Sequence, residues 1–200
     1  MKSLLVLVVA TLASVSISLA HDEPDPIAHW IFSPKFVRDG KLIAQAGPGG
    51  KLPAGVILPE DAEDALGFMG TEAFEVTSDP ETAKPALPKE GFTVSAWLTV
   101  EQPQRYGGVV GYLQDNGDFE KGWVLGYDNQ RFTFALATED ADDGDGKMTY
   151  LEGKTAYRAG VFYHVVGIYD GETMQLFVNG QLENATTDQS GPILYPDKAP

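Results

Sequence analysis

The chain has 200 residues, and its 29 acidic side chains outnumber the 14 basic ones to give a net charge of −15. An acidic surface of this size repels nucleic acid and anionic lipid, which argues against binding to either. The chain has no cysteine, so core burial, with or without a metal ion, must stabilise the fold in place of disulfides.

The first 20 residues are typical of a secretory signal peptide. The apolar run over residues 4–12 is too short to span a bilayer, and Ser18 and Ala20 provide the small residues that signal peptidase needs before its cleavage site. We therefore predict cleavage before His21 and an exported protein that is secreted, periplasmic or held at the cell surface. An uncleaved membrane anchor is the alternative. Residues 21–200 then form one domain without a membrane span.

Short strands separated by loops rich in glycine and proline are predicted from His21 onward, because no window keeps a helical period. The first half gives weak patterns at residues 28–32, 41–45 and 66–69. The clearest strand covers residues 92–100, where apolar residues alternate with hydroxyl-bearing ones. Trp97 stands on the hydroxyl-bearing side. We expect its ring in the core, with an exposed position on the sheet face as the alternative.

The second half continues with alternating strands at residues 131–138 and 162–169 and a shorter strand at residues 174–178. Residues that tolerate positive φ separate these strands and favour tight hairpin turns. The resulting series of short antiparallel strands predicts an all-β sandwich of two sheets. The turns are predicted at three pairs of residues: Asp128-Asn129, Asp170-Gly171 and Asn179-Gly180.

Four stretches of the sequence carry a resemblance to a known family. They read ALGFMG at residues 65–70, GFTVSAW at 91–97, FYHVV at 162–166 followed by YDG at 169–171, and LFVNGQL at 176–182. These stretches are similar to the conserved strands of laminin-G-like domains. The resemblance implies two stacked, curved antiparallel sheets, the jelly-roll sandwich of concanavalin A-like lectins and glucanases.

The resemblance also implies a binding module, of the kind that bacteria attach to exported enzymes such as calcineurin-like phosphoesterases. Laminin-G-like domains normally finish with one or two further strands, which the sequence up to Pro200 does not contain. We therefore expect a sandwich without its closing strand, which would pair near the strand around Trp30. Either the sequence is a fragment, or an edge is left unpaired and favours association.

An acidic loop at residues 139–146 has five carboxylates in eight residues between two predicted strands. Hard oxygen ligands at this density suit calcium, although Ala141 stands where the helix-loop-helix calcium motif requires an acid. We predict a calcium site in a hairpin loop, and a solvated acidic turn is the alternative. The predicted calcium ligands are Asp140, Asp142, Asp143 and Asp145.

A second loop, residues 114–122, combines amides, carboxylates and an aromatic ring, which is the mixture that sugar sites use. We predict that it binds a carbohydrate or glycoconjugate. The alternative is a structural turn whose neighbouring aromatic rings lie in the core. The predicted ligand-binding residues are Asp115, Asn116, Asp118, Trp123 and Tyr127.

Catalytic motifs are not found in the sequence. Its three histidines are too few for a dinuclear phosphoesterase site, so such an enzyme would be a fused or separate partner. A retaining glycosidase needs two carboxylates about 5 Å apart on a strand, whereas Asp118 and Glu120 stand in a predicted loop. We therefore predict a binding module without catalysis. A structural or protein-interaction domain is the first alternative, and a glycoside hydrolase the second.

Overall fold

The protein is described from a computed structural model over residues 25–56, 65–70, 73–77, 87–117 and 119–197, together with the backbone of residues 6–8. Most of the predicted signal peptide, and the predicted ligand residue Asp118, lie outside these residues. None of the described residues belongs to a helix long and apolar enough to cross a membrane. The helix that is described is a single 3-10 turn at Pro34–Phe36.

The described part of the chain is built almost entirely from strands, which confirms the predicted fold class. The predicted strand at residues 92–100 forms with these bounds, and the hairpin pair Asn179-Gly180 adopts the predicted positive φ angles of 51° and 77°. The strands are β1 (Val6–Val8), β2 (Val37–Arg38), β3 (Lys41–Leu42), β4 (Gly50–Lys51), β5 (Leu66–Phe68), β6 (Phe92–Val100), β7 (Tyr106–Asp115), β8 (Glu120–Asp128), β9 (Arg131–Ala137), β10 (Met148–Ala156), β11 (Tyr163–Tyr169), β12 (Met174–Val178) and β13 (Gln181–Thr186).

Two antiparallel sheets make up the sandwich. The larger sheet has the strand order β13-β12-β11-β6-β1-β5, and the smaller one has the order β10-β9-β8-β7. Strands β2, β3 and β4 form a separate small sheet. The two main sheets follow different parts of the chain: β7 to β10 pair successively in one, and β11 to β13 form a meander in the other.

The core lies between the two main sheets. Alternate residues of each strand point into it, as a pleated sheet requires. In β9, for example, Phe132, Phe134 and Leu136 are fully buried in the core. Their partners from the larger sheet include Leu98, Val165, Tyr169 and Leu176, also buried. Burying such side chains stabilises the fold by about 1.5–3 kcal/mol each.

The weak patterns of the first half give only short elements. The predicted strand at 66–69 is β5, and the one at 41–45 shortens to β3. The predicted strand at 28–32 does not form and leaves an isolated bridge between His29 and Ala46. In these segments, the rings of Trp30 and Phe32 each pack edge to face on the ring of Phe74. Ring packing there takes the place of strand pairing.

The C-terminal segment, residues 189–195, hydrogen-bonds to both main sheets. On the side of the smaller sheet, Gly122 N–H donates to Leu194 O and Leu194 N–H donates to Ala137 O. On the side of the larger sheet, Ile193 N–H donates to Lys89 O, just before β6, and the Tyr169 hydroxyl donates to Gly191 O at 2.7 Å. This segment therefore holds the ends of the two sheets together.

Glu183 joins the sheets at their other side, where β13 and β10 are the edge strands. Pairing of β10 with β9 is irregular between Glu152 and Ala156, and the N–H groups of Lys154 and Thr155 donate to the Glu183 carboxylate at 2.5 and 2.6 Å. Burial by itself would raise the pKa of Glu183, but the hydrogen bonds from Thr155 and Lys154 outweigh it and hold the pKa below its usual value.

Replacing Glu183 with Gln should lower the free energy of unfolding at neutral pH by about 1–3 kcal/mol, because the hydrogen bonds from the two backbone N–H groups lose the negative charge of their acceptor. A carboxyl group whose pKa is lowered by folding stabilises the folded state at pH values above its ordinary pKa of 4.5. That stabilisation is lost as the pH falls through the folded-state pKa. The difference in free energy of unfolding between wild type and variant, measured with urea, should therefore shrink as the pH falls through the folded-state pKa of Glu183.

The matched control is Glu172→Gln, which neutralises an exposed carboxylate and should change stability by less than about 0.5 kcal/mol. Equal effects of the two substitutions at neutral pH would contradict the role given to Glu183.

Candidate functional site

The two loops singled out in the sequence lie against each other at one end of the smaller sheet. The hairpin loop between β7 and β8 ends at Glu120, whose N–H donates to the carbonyl of Asp145 in the acidic loop at 3.3 Å. The Glu120 carboxylate accepts the N–H of Met148, at the start of β10, at 2.8 Å. Glu120, which the sequence analysis rejected as part of a glycosidase pair, thus fixes the position of the acidic loop.

Gly146 shows how close this approach is. Its φ of 97° favours glycine, and a Cβ atom there would lie 2.3 Å from the carbonyl oxygen of Glu120. Any side chain at Gly146 would push the two loops apart. The two loops therefore form one surface, although they were predicted as separate sugar and calcium sites.

The buried amide of Gln189 holds the base of the acidic loop. Its oxygen accepts the N–H and the hydroxyl of Thr138 at 2.8 and 2.6 Å. Its nitrogen donates to the carbonyl of Lys147 and the hydroxyl of Thr149 at 2.9 and 3.0 Å. One fully buried side chain is thus bonded to both ends of the loop. Nothing in the sequence marked Gln189, since a single Gln outside a motif gives no signal of burial.

The predicted calcium ligands lie in the loop between β9 and β10. Asp142 accepts the N–H groups of Gly144 and Gly146 at 3.0 and 2.8 Å, which is the bonding of an Asx turn. Over the residues that the structure describes, no group of three or more acidic or histidine side chains converges as a metal site. The calcium prediction for Asp140, Asp142, Asp143 and Asp145 therefore rests on the sequence alone.

A curved face of the smaller sheet, on the side away from the core, adjoins these loops. Tyr150 on β10 donates a short hydrogen bond through its hydroxyl to the carboxylate of Asp115 on β7. Strands β8 and β9 lie between them, and the register places Tyr150 in line with Gly111, four residues before Asp115. In a flat sheet the two Cα atoms would therefore be farther apart than three strand spacings, which alone amount to roughly 14 Å. For these side chains to meet, the edges of the sheet must curl towards each other. We call this surface the concave face.

The floor of the concave face is apolar. Val124, Ala135, Ala137 and Met148 form a buried cluster there, separate from the main core. They alternate with the residues of β8, β9 and β10 that point into the core. Gly111 on β7 faces the same side. The floor lies beneath the Tyr150–Asp115 hydrogen bond.

Tyr106 is the most exposed aromatic side chain of the concave face, with 71% of its surface accessible. The Arg105 guanidinium lies 5.2 Å from the centre of its ring. Burial raises the pKa of Tyr150 well above its usual range, and the hydrogen bond to Asp115, with the nearby Asp115, Glu120 and Tyr106, raises it further. Tyr150 therefore stays a hydroxyl donor at neutral pH. Two phenols and two carboxylates thus lie together on one face.

The five predicted ligand-binding residues are divided by the structure. Asp115 lies on the concave face, and Asn116 lies in the adjoining loop, where its side chain accepts the N–H of Phe119 at 3.0 Å. Asp118 lies outside the described residues. Trp123 and Tyr127 are buried in the main core, on the opposite side of β8. Their burial fits the alternative given for this loop, in which neighbouring aromatic rings are structural, and the site described here leaves them out.

The expectation for Trp97 was wrong. Its ring is 38% accessible on the outer face of the larger sheet, stacked on His164 of β11 with ring centres 5.0 Å apart. Alternation with the buried Ala96 and Leu98 places it there. Val166, Phe177 and Leu182 follow on the same face through register pairs of β11, β12 and β13. We call this row of apolar side chains the outer apolar face.

Comparison with known proteins gives the chain a family. The model of Laminin_G_3, the concanavalin A-like lectin/glucanases superfamily, matches residues 74–199. The chain belongs to this family. Domains of this family are typically non-catalytic modules that bind carbohydrate or protein, and laminin-G-like domains are commonly extracellular. The resemblance given by the sequence motifs is thereby confirmed.

Curated relatives share part of the sequence. The chain is 29% identical over 150 residues to pappalysin-1 of Mus musculus and 31% identical over the same length to pappalysin-1 of Homo sapiens. The alignments cover 69% of this chain but 9% of each relative. What these long proteins do as a whole is therefore not carried over to this domain.

Replacing Gln189 with Ala should lower the free energy of unfolding by about 2–4 kcal/mol, because it leaves the buried N–H of Thr138 and the carbonyl of Lys147 without a partner. Denaturant unfolding measures this loss, and faster amide exchange at residues 139–147 would show that the acidic loop is released.

The control for Gln189 is Gln181→Ala, in which an exposed glutamine of β13 is shortened and the unfolding midpoint should hardly move. A loss of stability at Gln189 without faster exchange in the loop would show that the amide stabilises the sandwich but does not position the loop.

Proposed function

We propose that the protein is an exported carbohydrate- or glycoconjugate-binding module, and that the concave face with the adjoining loops is its binding surface. The observation that supports this proposal is the grouping of Tyr106, Tyr150, Asp115 and Glu120 on one curved face, with an apolar floor beneath them. Sugar recognition uses this combination, because hydroxyl groups need polar partners while the ring faces of a sugar pack on aromatic side chains.

Each side chain has a role in this proposal. Tyr106, the most exposed ring, offers a platform for a pyranose, and Arg105 beside it can donate to a sugar hydroxyl. Asp115 accepts from Tyr150, and its remaining lone pairs can accept from vicinal hydroxyls. The Glu120 carboxylate accepts a hydrogen bond from the backbone N–H of Met148 and therefore positions the acidic loop beside the site. The proposal assigns no catalytic role to any of them.

Export by the N-terminal segment belongs to the same proposal. It is supported by the small residues Ser18 and Ala20 after the apolar run, and it agrees with the extracellular setting that is common for laminin-G-like domains.

Replacing Tyr106 with Ala should weaken binding of the preferred glycan about fivefold to tenfold, because the ring contact contributes on the order of 1 kcal/mol. The measurement is a glycan array followed by titration calorimetry with the best ligand. Phe162→Ala, which removes an exposed ring from the segment before β11, is the matched control and should leave the affinity unchanged.

Repeating the array with a chelator tests whether calcium takes part in binding. A blank array for the wild-type protein, or an equal loss in the Tyr106 and Phe162 variants, would contradict a sugar site on the concave face.

A second function, protein interaction, is favoured by the outer apolar face. Leu182 is 52% exposed beside Phe177, and Trp97 stands exposed three strands further along the same side of the sheet. Exposed apolar groups that share one sheet face are typical of interaction surfaces. In this alternative the domain packs on an exported enzyme, such as a fused or separate phosphoesterase, and binds no sugar.

The outer apolar face is tested by replacing Trp97 with Ala and purifying the protein with its bound partners from its own host. Loss of an enzyme partner with Trp97→Ala, but not with Tyr106→Ala, together with a blank glycan array, would establish the second function. Retention of every partner by the Trp97 variant would exclude this face.

A further inference from the structure

The concave face carries groups that attract positive charge. The phenol rings of Tyr106 and Tyr150 are 71% and 46% accessible, and the exposed carboxylate of Asp115 accepts the hydroxyl of Tyr150. The face of an aromatic ring is negative and attracts cations. A carboxylate forms its strongest hydrogen bonds with charged donors such as ammonium groups. These side chains therefore favour a ligand that is positively charged where it contacts them.

A cation of the chain itself already contacts this face. The guanidinium of Arg105 lies 5.2 Å from the centre of the Tyr106 ring, within the range of a cation–π interaction. The ring thus attracts a positive group inside the folded chain. With 71% of its surface still accessible, Tyr106 can also contact a charged group of a ligand.

The loops that adjoin these side chains are strongly acidic. Residues 114–122 contain three acidic residues and one lysine, and residues 139–147 contain five acidic residues and one lysine. Because the two loops are hydrogen-bonded to each other through Glu120 and Asp145, their carboxylates act on the same surface. A negative potential of this kind attracts cationic ligands and repels anionic ones.

We propose that the preferred ligand of the concave face is a saccharide with free amino groups in their ammonium form. This inference rests on the proposed carbohydrate-binding function and gives its ligand a charge. An ammonium group has three N–H donors, so it can donate to the Asp115 carboxylate while the sugar ring packs on Tyr106 or Tyr150. Acidic glycans are repelled by the surrounding carboxylates, and neutral glycans gain nothing from the negative potential.

The experiment compares two probes that share one sugar backbone. The first is a short chitosan oligosaccharide, and the second is the chitin oligosaccharide of the same length, in which acetylation turns every amine into a neutral amide. Both are titrated by calorimetry at slightly acidic pH, where the amines are protonated. We expect the chitosan oligosaccharide to bind about tenfold more tightly at low salt. This preference should largely disappear at about 1 M salt, where charges are screened within about 3 Å.

Two matched variants separate the charge of the site from the net charge of the protein. Asp115→Asn removes one negative charge and keeps an oxygen that can accept the Tyr150 hydroxyl. It should reduce the preference for the chitosan oligosaccharide over the chitin oligosaccharide at least about threefold. Glu172→Gln removes one negative charge from an exposed position between β11 and β12, and should leave the preference unchanged.

The proposal is overturned if the chitosan oligosaccharide does not bind, if both oligosaccharides bind equally, or if Asp115→Asn and Glu172→Gln change the preference by the same factor. It is also overturned if a short lysine peptide binds as tightly as the chitosan oligosaccharide, since charge alone would then be recognised. Equal binding of both oligosaccharides that is weakened by Tyr106→Ala would overturn the charge preference and still support a sugar site. A blank glycan array, in contrast, would contradict the sugar site itself.

Discussion

The hydrogen bonds of the buried Gln189 amide hold the acidic loop and the neighbouring strand ends in place, and the candidate site depends on them. An amide has two donors and two acceptor positions, and burial without partners would cost several hydrogen bonds. Here its four contacts reach the end of β9, the acidic loop and the start of β10. Because Gln189 begins the segment that also hydrogen-bonds to the larger sheet, the loop is fixed relative to the whole sandwich.

The concave face and the outer apolar face offer two different kinds of side chain to solvent. On the smaller sheet, phenols and carboxylates are exposed above an apolar floor, and the Tyr150–Asp115 hydrogen bond joins two of them. On the larger sheet, Trp97 and Leu182 present apolar surface. The two surfaces lie on opposite sides of one core, so the proposed sugar site and the alternative protein-interaction surface have no residue in common. A family whose members bind carbohydrate or protein fits this division.

Much of the fold could be predicted because strands and turns are specified by patterns of neighbouring residues. Alternation at residues 92–100 gave β6, and residues that tolerate positive φ gave the turn at Asn179-Gly180. Trp97 was misplaced because the general preference of tryptophan for the core was given more weight than its parity in the strand. Strict alternation with Ala96 and Leu98 already indicated the outer face.

The site was less predictable than the fold because it depends on contacts between distant parts of the chain. Composition identified the loops that contain Asp115 and Asp142. The close contact between these loops is set by the hydrogen bond from the Met148 N–H to the Glu120 carboxylate and by the absence of a side chain at Gly146. Tyr150 was not singled out, since its bond to Asp115 joins residues on strands that are not neighbours. The faces of Trp123 and Tyr127 could have been assigned only by knowing the register of β8.

The contact between Gly146 and Glu120 has a consequence for how related domains can diverge. The acidic loop is attached at both ends by Gln189 and approaches the neighbouring hairpin too closely for an added atom. Insertions and deletions in this stretch would therefore disturb the sandwich as well as the loop. Asp142 forms the turn of this loop and Gly144 has a φ of 116°, so side chains are more readily exchanged at exposed positions such as Asp143. Closely related members of the family should therefore keep the length of this loop while such positions vary.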